Sequence, residues 1–172
     1  VSGELGRIGM GKISKSEAKG EEEYKEASGV VLYMIHTGIT ESDYMLHHIG
    51  YTSKKRMSAG VGVIDLAHDM ARRKLSYSSQ EGRNHIHKIS ERHYWHWTDN
   101  NSWLPLDTYN RNVDSLVTIP LQYDWEEVRQ RVIENKGHAF SVLAADMPAE
   151  SSGISSGCTN GLYPIRSLSL KK

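Results

Sequence analysis

Cysteine is almost absent from this sequence. Cys158 is the only one among 172 residues, and no basic side chain neighbours it. One thiol cannot form an intramolecular disulfide framework or a zinc site built from several cysteines, and it excludes chemistry that needs a pair of thiols within this chain. We therefore interpret Cys158 as a structural thiol rather than a nucleophile.

The sequence also lacks an excess of one charge and a long apolar run. Its 21 basic and 21 acidic side chains give a formal net charge of zero, whereas nucleic-acid binders and polybasic membrane-binding segments carry a basic excess. No apolar stretch approaches the roughly 20 residues of a membrane-spanning helix, and the N-terminal residues do not form a signal peptide. We expect a soluble cytoplasmic protein that binds neither membranes nor nucleic acid directly, with residues 1–172 in a single domain.

Four segments have the apolar spacing of amphipathic helices. Their predicted ranges are 17–37, a short helix ending near residue 73, 86–99, and 125–137. Two of them begin at a capping box, Ser14 with Glu17 and Asp124 with Glu127, in which side chains satisfy the free amides of the first turn. Gly137 suits the left-handed conformation that ends a helix.

The segments between the helices complete an α/β pattern. A polar connection is predicted at 47–50, a tight turn at 59–64, a long loop at 100–120, a doubly buried strand at 139–145 and another strand at 165–170. Helices alternating with buried strands indicate helices packed on a mostly parallel sheet. Ligands bind at the carboxyl ends of such strands, where a Ser- and Gly-rich loop at 146–153 must lie.

That loop carries groups able to bind a phosphate. Ser151, Ser152 and Gly153 supply hydroxyl groups and flexible backbone amides, and Pro148 presets the entry to a turn. Glu150 would repel a phosphate unless its carboxylate points away or only its backbone N–H takes part. From these residues alone, a phosphate-binding loop and an ordinary surface turn both remain open.

Other patterns have structural interpretations. The nine histidines, including His93 and His96, lack a metal-site spacing such as HExxH, so we interpret them as packing or surface residues. The aromatic run 94–97 is interpreted as core plus subunit contact, since no basic residues interleave it. Residues 60–65 lack the third glycine of a dinucleotide fingerprint and indicate close strand-to-helix packing. The basic runs 54–56 and 72–74 are interpreted as solvated surface.

Four blocks in a fixed order point to a family. They are residues 60–67, 104–109, 123–127, and a last block of 147–152 with 159–161, Pro164 and Arg166. Together they resemble the C-terminal barrel portion of the large (catalytic, alpha) subunit of class I ribonucleotide reductase, including its phage-type and split versions. Residues 57–172 match well and residues 1–56 weakly, although 5–8 is similar to the segment after one of the family's redox cysteines.

The resemblance implies part of a ten-stranded α/β barrel, incomplete at both ends and inactive alone. It implies reduction of ribonucleoside diphosphates to deoxyribonucleotides for DNA replication, under ATP-dependent allosteric control. A radical would come from the small (beta) subunit, and electrons from thioredoxin or glutaredoxin would arrive through cysteines outside this chain, in the remaining part of the large subunit. No cofactor and no metal is expected here.

Carried over residue by residue, Ala149, Glu150, Ser151 and Ser152 would bind the substrate phosphates. Ala149 stands where relatives often have serine, which removes one hydroxyl donor, and Cys158 stands where they often have a small residue, so it inherits no catalytic role. Two other functions remain open. One is a non-catalytic remnant or interaction module that docks through residues 94–97, and the other is an unrelated α/β phosphate-binding enzyme that shares the loop by chance.

Overall fold

The structure is a small parallel sheet surrounded by helices. The computed structural model describes residues 4–101, 118–136, 140, 142–146, 148–165 and 167. The strands are β1 Glu4–Gly9, β2 Ser58–Ile64 and β3 Val142–Ala144, and a 3-10 turn at Met10–Lys12 follows β1. The helices are α1 Glu17–Glu41, α2 His47–Arg56, α3 Leu66–Arg73, α4 Gln80–Asn101, α5 Trp125–Glu134 and α6 Glu150–Ser156.

Strand β2 is the middle strand and pairs in parallel with both β1 and β3. Parallel neighbours require long crossovers, and α1 and α2 lie between β1 and β2 while α3 to α5 lie between β2 and β3. The predicted class of helices packed on a parallel sheet is therefore confirmed. The predicted tight turn at 59–64 is wrong, because these residues form most of β2 and are all buried. The short helix after it, α3, ends at Arg73 as predicted.

Gly62 lets β2 approach the chain that leaves β3. A Cβ atom at Gly62 would overlap the carbonyl oxygen of Ala145. Beside it, the Ala145 amide donates to the Val61 carbonyl over 3.0 Å. The close packing predicted for this glycine motif is thus present, but it is made against backbone beyond β3 and not against a helix.

One apolar core joins the sheet to α1, α3 and α4. Helix α1 contributes buried positions at three- and four-residue spacing, which are Gly20, Tyr24, Ser28, Leu32, Ile35 and Ile39. The sheet and the other helices add Ile8, Ala59, Val61, Val63, Leu66, Met70 and Ile89. This core fixes the sheet against the helices and thereby fixes the position of the strand ends.

The two predicted capping boxes have different outcomes. The capping role predicted for Asp124 is confirmed, since its Oδ1 accepts from the amides of Glu126 at 3.1 Å and Glu127 at 3.2 Å. The Ser14 box is wrong, because α1 has Ser16 at its N-cap without a side-chain cap bond. The Ser14 amide instead donates to Glu23 Oε2 over 2.8 Å, further along the helix.

Several predicted boundaries also change. The polar connection at 47–50 is the first turn of α2, and α1 and α4 are longer than predicted. Helix α5 ends at Glu134, and Lys136 adopts the left-handed conformation with φ of 57°. Gly137, most of the 100–120 loop and most of the predicted strand 165–170 lie outside the described residues; Ile165 itself is not in a strand.

The basic run 72–74 is not simply solvated. Arg72 donates through Nη2 to the carbonyl of Ile13 over 2.8 Å, and both Arg72 and Arg73 pair with buried Asp69. His85 adds a 2.7 Å contact from Nε2 to Asp69 Oδ2. Arg72 therefore joins α3 to the turn after β1, and Arg73 pairs with Asp69 within α3, which the charge pattern alone did not indicate.

None of the described helices is long and apolar enough to cross a membrane.

Candidate functional site

The carboxyl ends of the three strands lie along one edge of the sheet, because the strands are parallel. Gly11 follows β1, Asp65 follows β2 and Asp146 follows β3. Helix α6 comes shortly after Asp146, so the residues predicted to bind phosphate begin at this edge, as expected for an α/β fold.

The four predicted phosphate-binding residues are brought together where α6 begins. Ala149 is the N-cap and Glu150, Ser151 and Ser152 form the first turn, so the predicted loop at 146–153 is wrong in its second half. The Gly153 amide donates to the Ala149 carbonyl over 2.7 Å, which closes that turn. Ala149 is buried, at 2% exposure, while Glu150 and Ser151 are exposed.

The end of α6 is a glycine-terminated motif. Gly157 has φ of 64°, its amide donates to Ile154, and the Cys158 amide donates to the Gly153 carbonyl over 2.8 Å. This pair of bonds is a Schellman motif, in which a left-handed glycine reverses the chain. A Cβ at Gly153 would lie 3.0 Å from the Cys158 carbonyl oxygen. The reversal carries residues 158–161 back along the helix.

This returning chain holds the start of α6. Asn160 Oδ1 accepts from the Ala149 amide over 2.5 Å. Thr159 forms two hydrogen bonds with Asp65. The Thr159 amide donates to Asp65 Oδ1 over 2.7 Å, and the Thr159 carbonyl accepts from the Asp65 amide over 3.0 Å. The Thr-Asn-Gly step of the last sequence block therefore links α6 to the carboxyl end of β2.

Asp65 is the residue that sequence analysis missed. It is fully buried with φ of 68°, and its Oδ2 lies 3.2 Å from Nδ1 of His68. Gly11 makes room for it, since a Cβ there would overlap the Asp65 carboxylate. The sequence signal that could have identified Asp65 is an aspartate directly after an apolar strand. An aspartate in that position normally indicates only a helix N-cap.

The pKa of Asp69, which lies on α3, is shifted. Burial raises its pKa, but the hydrogen bond from His85 and the charge of Arg73 outweigh that effect and leave the pKa below its ordinary value. Glu21 behaves in the same way. Burial raises its pKa, but the hydrogen bonds from Tyr123 and His96 and the charge of Arg92 outweigh that effect and leave the pKa below its ordinary value. Both carboxylates are held within ion-pair networks that join helices, α3 to α4 for Asp69 and α1 to α4 for Glu21.

The prominent histidines confirm the packing interpretation. His93 lies in the core, and its Nε2 donates to the Val61 carbonyl over 2.9 Å. His96 Nε2 lies 2.6 Å from Glu21 Oε1. Among the described residues, no group of three histidine, cysteine or acidic side chains is placed to hold a metal ion.

The aromatic run on α4 is largely used inside the chain. Trp95 stacks on Tyr123 with ring centroids 4.8 Å apart, and His96 is buried. Glu91 accepts from the indole of Trp125 over 3.1 Å and so fastens the start of α5 to α4. Tyr94 is 40% exposed, and the Trp97 side chain lies outside the described residues. The predicted buried role is confirmed for His96, whereas Trp95 is half-buried and packs on Tyr123 at the side of α4.

Comparison with known proteins identifies the family. The sequence model of the ribonucleotide reductase barrel domain matches residues 2–172. The chain belongs to this family. Its three-stranded sheet with helices is accordingly part of the α/β barrel, and the resemblance drawn from the four sequence blocks is confirmed.

Relatives of this barrel segment are alpha subunits of ribonucleoside-diphosphate reductase. That of Buchnera aphidicola subsp. Baizongia pistaciae is 29% identical over 82% of this chain and 21% of its own length. The alpha subunit of ribonucleoside-diphosphate reductase 1 of Salmonella typhimurium is 33% identical over 64% of the chain and 17% of its own length. The alpha subunit of Enterobacteria phage T4 is 29% identical over 72% of the chain and 20% of its own length. The chain thus spans about a fifth of the length of these curated relatives.

Proposed function

We propose that this chain contributes the substrate-phosphate anchor to a ribonucleoside-diphosphate reductase large subunit. Membership of the reductase barrel family carries this proposal. The placement of Ala149, Glu150, Ser151 and Ser152 in one turn beyond β3 supports it. The reaction of the assembled enzyme is the reduction of a ribonucleoside diphosphate to the deoxyribonucleotide.

Binding at this turn relies on hydrogen-bond donors rather than on a positive side chain. Backbone amides at the beginning of a helix, with the hydroxyls of Ser151 and Ser152, suit the oxygens of a diphosphate. Glu150 is exposed, so its backbone can take part while its carboxylate remains in solvent. Ala149 provides backbone only, and its buried methyl group packs the turn against the protein.

The anchor's contribution to catalysis is orientation. Radical removal of a ribose hydrogen requires the sugar to be held still relative to the reacting thiol, and fixing the diphosphate restricts the rest of the nucleotide. Positioning of this kind can lower a barrier by several kcal/mol, up to roughly 7–11 kcal/mol in well-oriented systems. Residues 149–152 would thus bind and orient the substrate, while the chemistry takes place on residues of the remaining part of the subunit.

Partners follow from the same proposal. The radical would come from the small (beta) subunit, and electrons from thioredoxin or glutaredoxin through cysteines outside this chain. We assign Cys158 no part in this. Its Sγ lies 3.6 Å from the Ser156 carbonyl and close to Gly9, where an added Cβ would lie 3.3 Å from it, which fits the structural thiol that the sequence predicts.

The second candidate is a non-catalytic interaction module that docks through residues 94–97. The exposure of Tyr94 favours it. The stacking of Trp95 on Tyr123 and the burial of His96 favour a role of this run within the chain. A module of this kind would bind a partner without any dependence on nucleoside diphosphate.

The test compares substrate affinity in two serine variants of α6, in the reductase assembled from this chain and the rest of the large subunit. Ser152→Ala should weaken nucleoside-diphosphate binding by about 1 kcal/mol or more, roughly fivefold, because a donor to a charged oxygen is lost. Ser155→Ala is the matched control, since that hydroxyl bonds the Ser151 carbonyl over 3.0 Å, one turn further on. Equal substrate affinity in both variants would contradict the assignment.

A further inference from the structure

The side chain of Asp65 does not perform the task that its position predicts. An aspartate at an N-cap normally accepts from the second or third amide of its own helix. Asp65 is the N-cap of α3, yet it makes no such bond. Its Oδ1 is directed instead to the Thr159 amide, 94 residues away in sequence, at 2.7 Å.

The backbone of Asp65 is also unusual for a buried side chain. Its left-handed φ of 68° is uncommon for a residue other than glycine, and such conformations persist where surrounding contacts fix them. Here the Asp65 amide donates to the Thr159 carbonyl, and Gly11 leaves the carboxylate its space. The conformation therefore serves the contact with Thr159.

Asn160 completes the attachment from the other side. Ala149 is the N-cap of α6 and has no side-chain acceptor, and its own amide donates to Asn160 Oδ1 over 2.5 Å in a part-buried hydrogen bond. Without that oxygen, the amide of a buried residue would lose its partner within the protein, which is costly. Because Thr159 and Asn160 are adjacent, one dipeptide is bound to β2 through Asp65 and to α6 through Ala149.

We infer that Asp65 and Asn160 are positioning residues, which hold the first turn of α6 at the carboxyl end of β2 so that it can bind the substrate diphosphate. This inference rests on the proposed function of residues 149–152. Neither side chain needs to contact substrate. Asp65 acts through Thr159, and Asn160 acts through Ala149.

The variants separate the hydrogen bond from the backbone conformation. Asp65→Gly keeps the left-handed φ accessible but removes the acceptor, whereas Asp65→Asn keeps an Oδ1 acceptor without the charge. Asn160→Ala removes the second acceptor at an exposed position, so it provides a test even if the glycine variant folds poorly. The first measurement is amide hydrogen exchange at residue resolution, by mass spectrometry with electron-transfer fragmentation, in the reductase assembled from this chain and the rest of the large subunit.

We expect Asp65→Gly to speed exchange of the Thr159 amide at least tenfold, and Asn160→Ala to do the same for the Ala149 amide. In the assembled reductase, both should raise KM for a ribonucleoside diphosphate about tenfold, and kcat should fall as well, because a displaced first turn of α6 no longer orients the ribose. Asp65→Asn should remain within twofold of the unmodified enzyme in exchange and in KM. A merely structural role would lower the amount of folded enzyme but would leave the KM of the folded fraction unchanged.

Two results would overturn the inference: unchanged exchange and KM in Asp65→Gly and Asn160→Ala, or an Asp65→Asn variant as defective as Asp65→Gly. Failure of the proposed function has a different signature. In that case KM would be insensitive to Ser152→Ala as well as to every positioning variant, although exchange at Thr159 still responded to Asp65→Gly. That result would refute the role of these residues in substrate binding. It would leave only their structural role, which is to hold α6 at the end of β2.

Discussion

The Tyr24 hydroxyl donates a 2.6 Å hydrogen bond to Nδ1 of His93 in the centre of the core. The other ring nitrogen, Nε2, donates to the Val61 carbonyl, so the tautomer is fixed by its two partners. Burial lowers the pKa of His93 and raises that of Tyr24. A neutral histidine thus joins α1, α4 and β2.

Removal of the Tyr24 hydroxyl should destabilise the fold. Tyr24→Phe leaves a buried acceptor on His93 without its donor, and we expect a loss of about 1–3 kcal/mol in the free energy of unfolding. Tyr33→Phe is the control, because Tyr33 is on the same helix but 72% exposed. Chemical denaturation of both variants measures the difference, and equal stability would contradict the buried bond.

His93 should stay neutral at mildly acidic pH. Its folded-state pKa is depressed, so its contribution to stability is complete above the unfolded pKa of about 6.5 and is lost as pH falls through the folded value. NMR of labelled histidine should show a neutral, Nε2-protonated His93 ring at pH 6. A His93 ring that is protonated on both nitrogens at that pH would disprove the assignment.

Asp69 gives a second pH dependence at lower pH. Its pKa is depressed in the folded state, so the stability it contributes is present above the ordinary aspartate pKa of about 3.9 and is lost as pH falls through the lowered value. Asp69→Asn should therefore reduce stability at pH 7 by about 2 kcal/mol, as expected for hydrogen bonds to a charged group. The difference from the unmodified chain should shrink below about pH 4, as measured by denaturation across pH. A constant difference would exclude the ionised carboxylate as the cause.

Local signals in the sequence predicted local structure correctly. Asp124 and the apolar spacing after it suffice to define the start of α5, because a capping box lies within one helical turn. Strand β2 was missed because Gly60 and Gly62 lower strand propensity, and only the sheet around it shows why small residues are needed. Helix α6 was missed because its serines and glycine favour turns, whereas the helix is held by Asn160 beyond its end.

The candidate site was predicted in part for the same reason. The resemblance indicated Ala149 to Ser152 because those residues are contiguous and match a family segment. The pairing of Asp65 with Thr159 spans 94 residues and depends on the register of β2 against β3. No spacing within one segment encodes such a contact, so only the fold reveals it.

The unpaired edges of the sheet predict the solubility of this chain in isolation. Within the described residues, β1 and β3 each pair only with β2, so each has a second edge of backbone donors and acceptors available to another strand. We expect the isolated chain to be poorly soluble or to self-associate. Size-exclusion chromatography with light scattering measures this directly, and a monomer stable at high concentration would contradict the expectation.

The approach of β2 to the segment after β3 can be tested with one pair of glycines. A methyl group at Gly62 would overlap the Ala145 carbonyl oxygen, which is backbone and cannot rotate away. Gly62→Ala should therefore separate β2 from that segment, with a loss of about 1–3 kcal/mol as for other overpacked sites. Gly29→Ala is the matched control, since nothing lies within 4 Å of its added methyl group. That helical position should instead gain about 0.5–1 kcal/mol from the better helix propensity of alanine. Thermal and chemical denaturation of the two variants should thus shift in opposite directions, and a stabilised Gly62→Ala variant would show that β2 does not lie this close to Ala145.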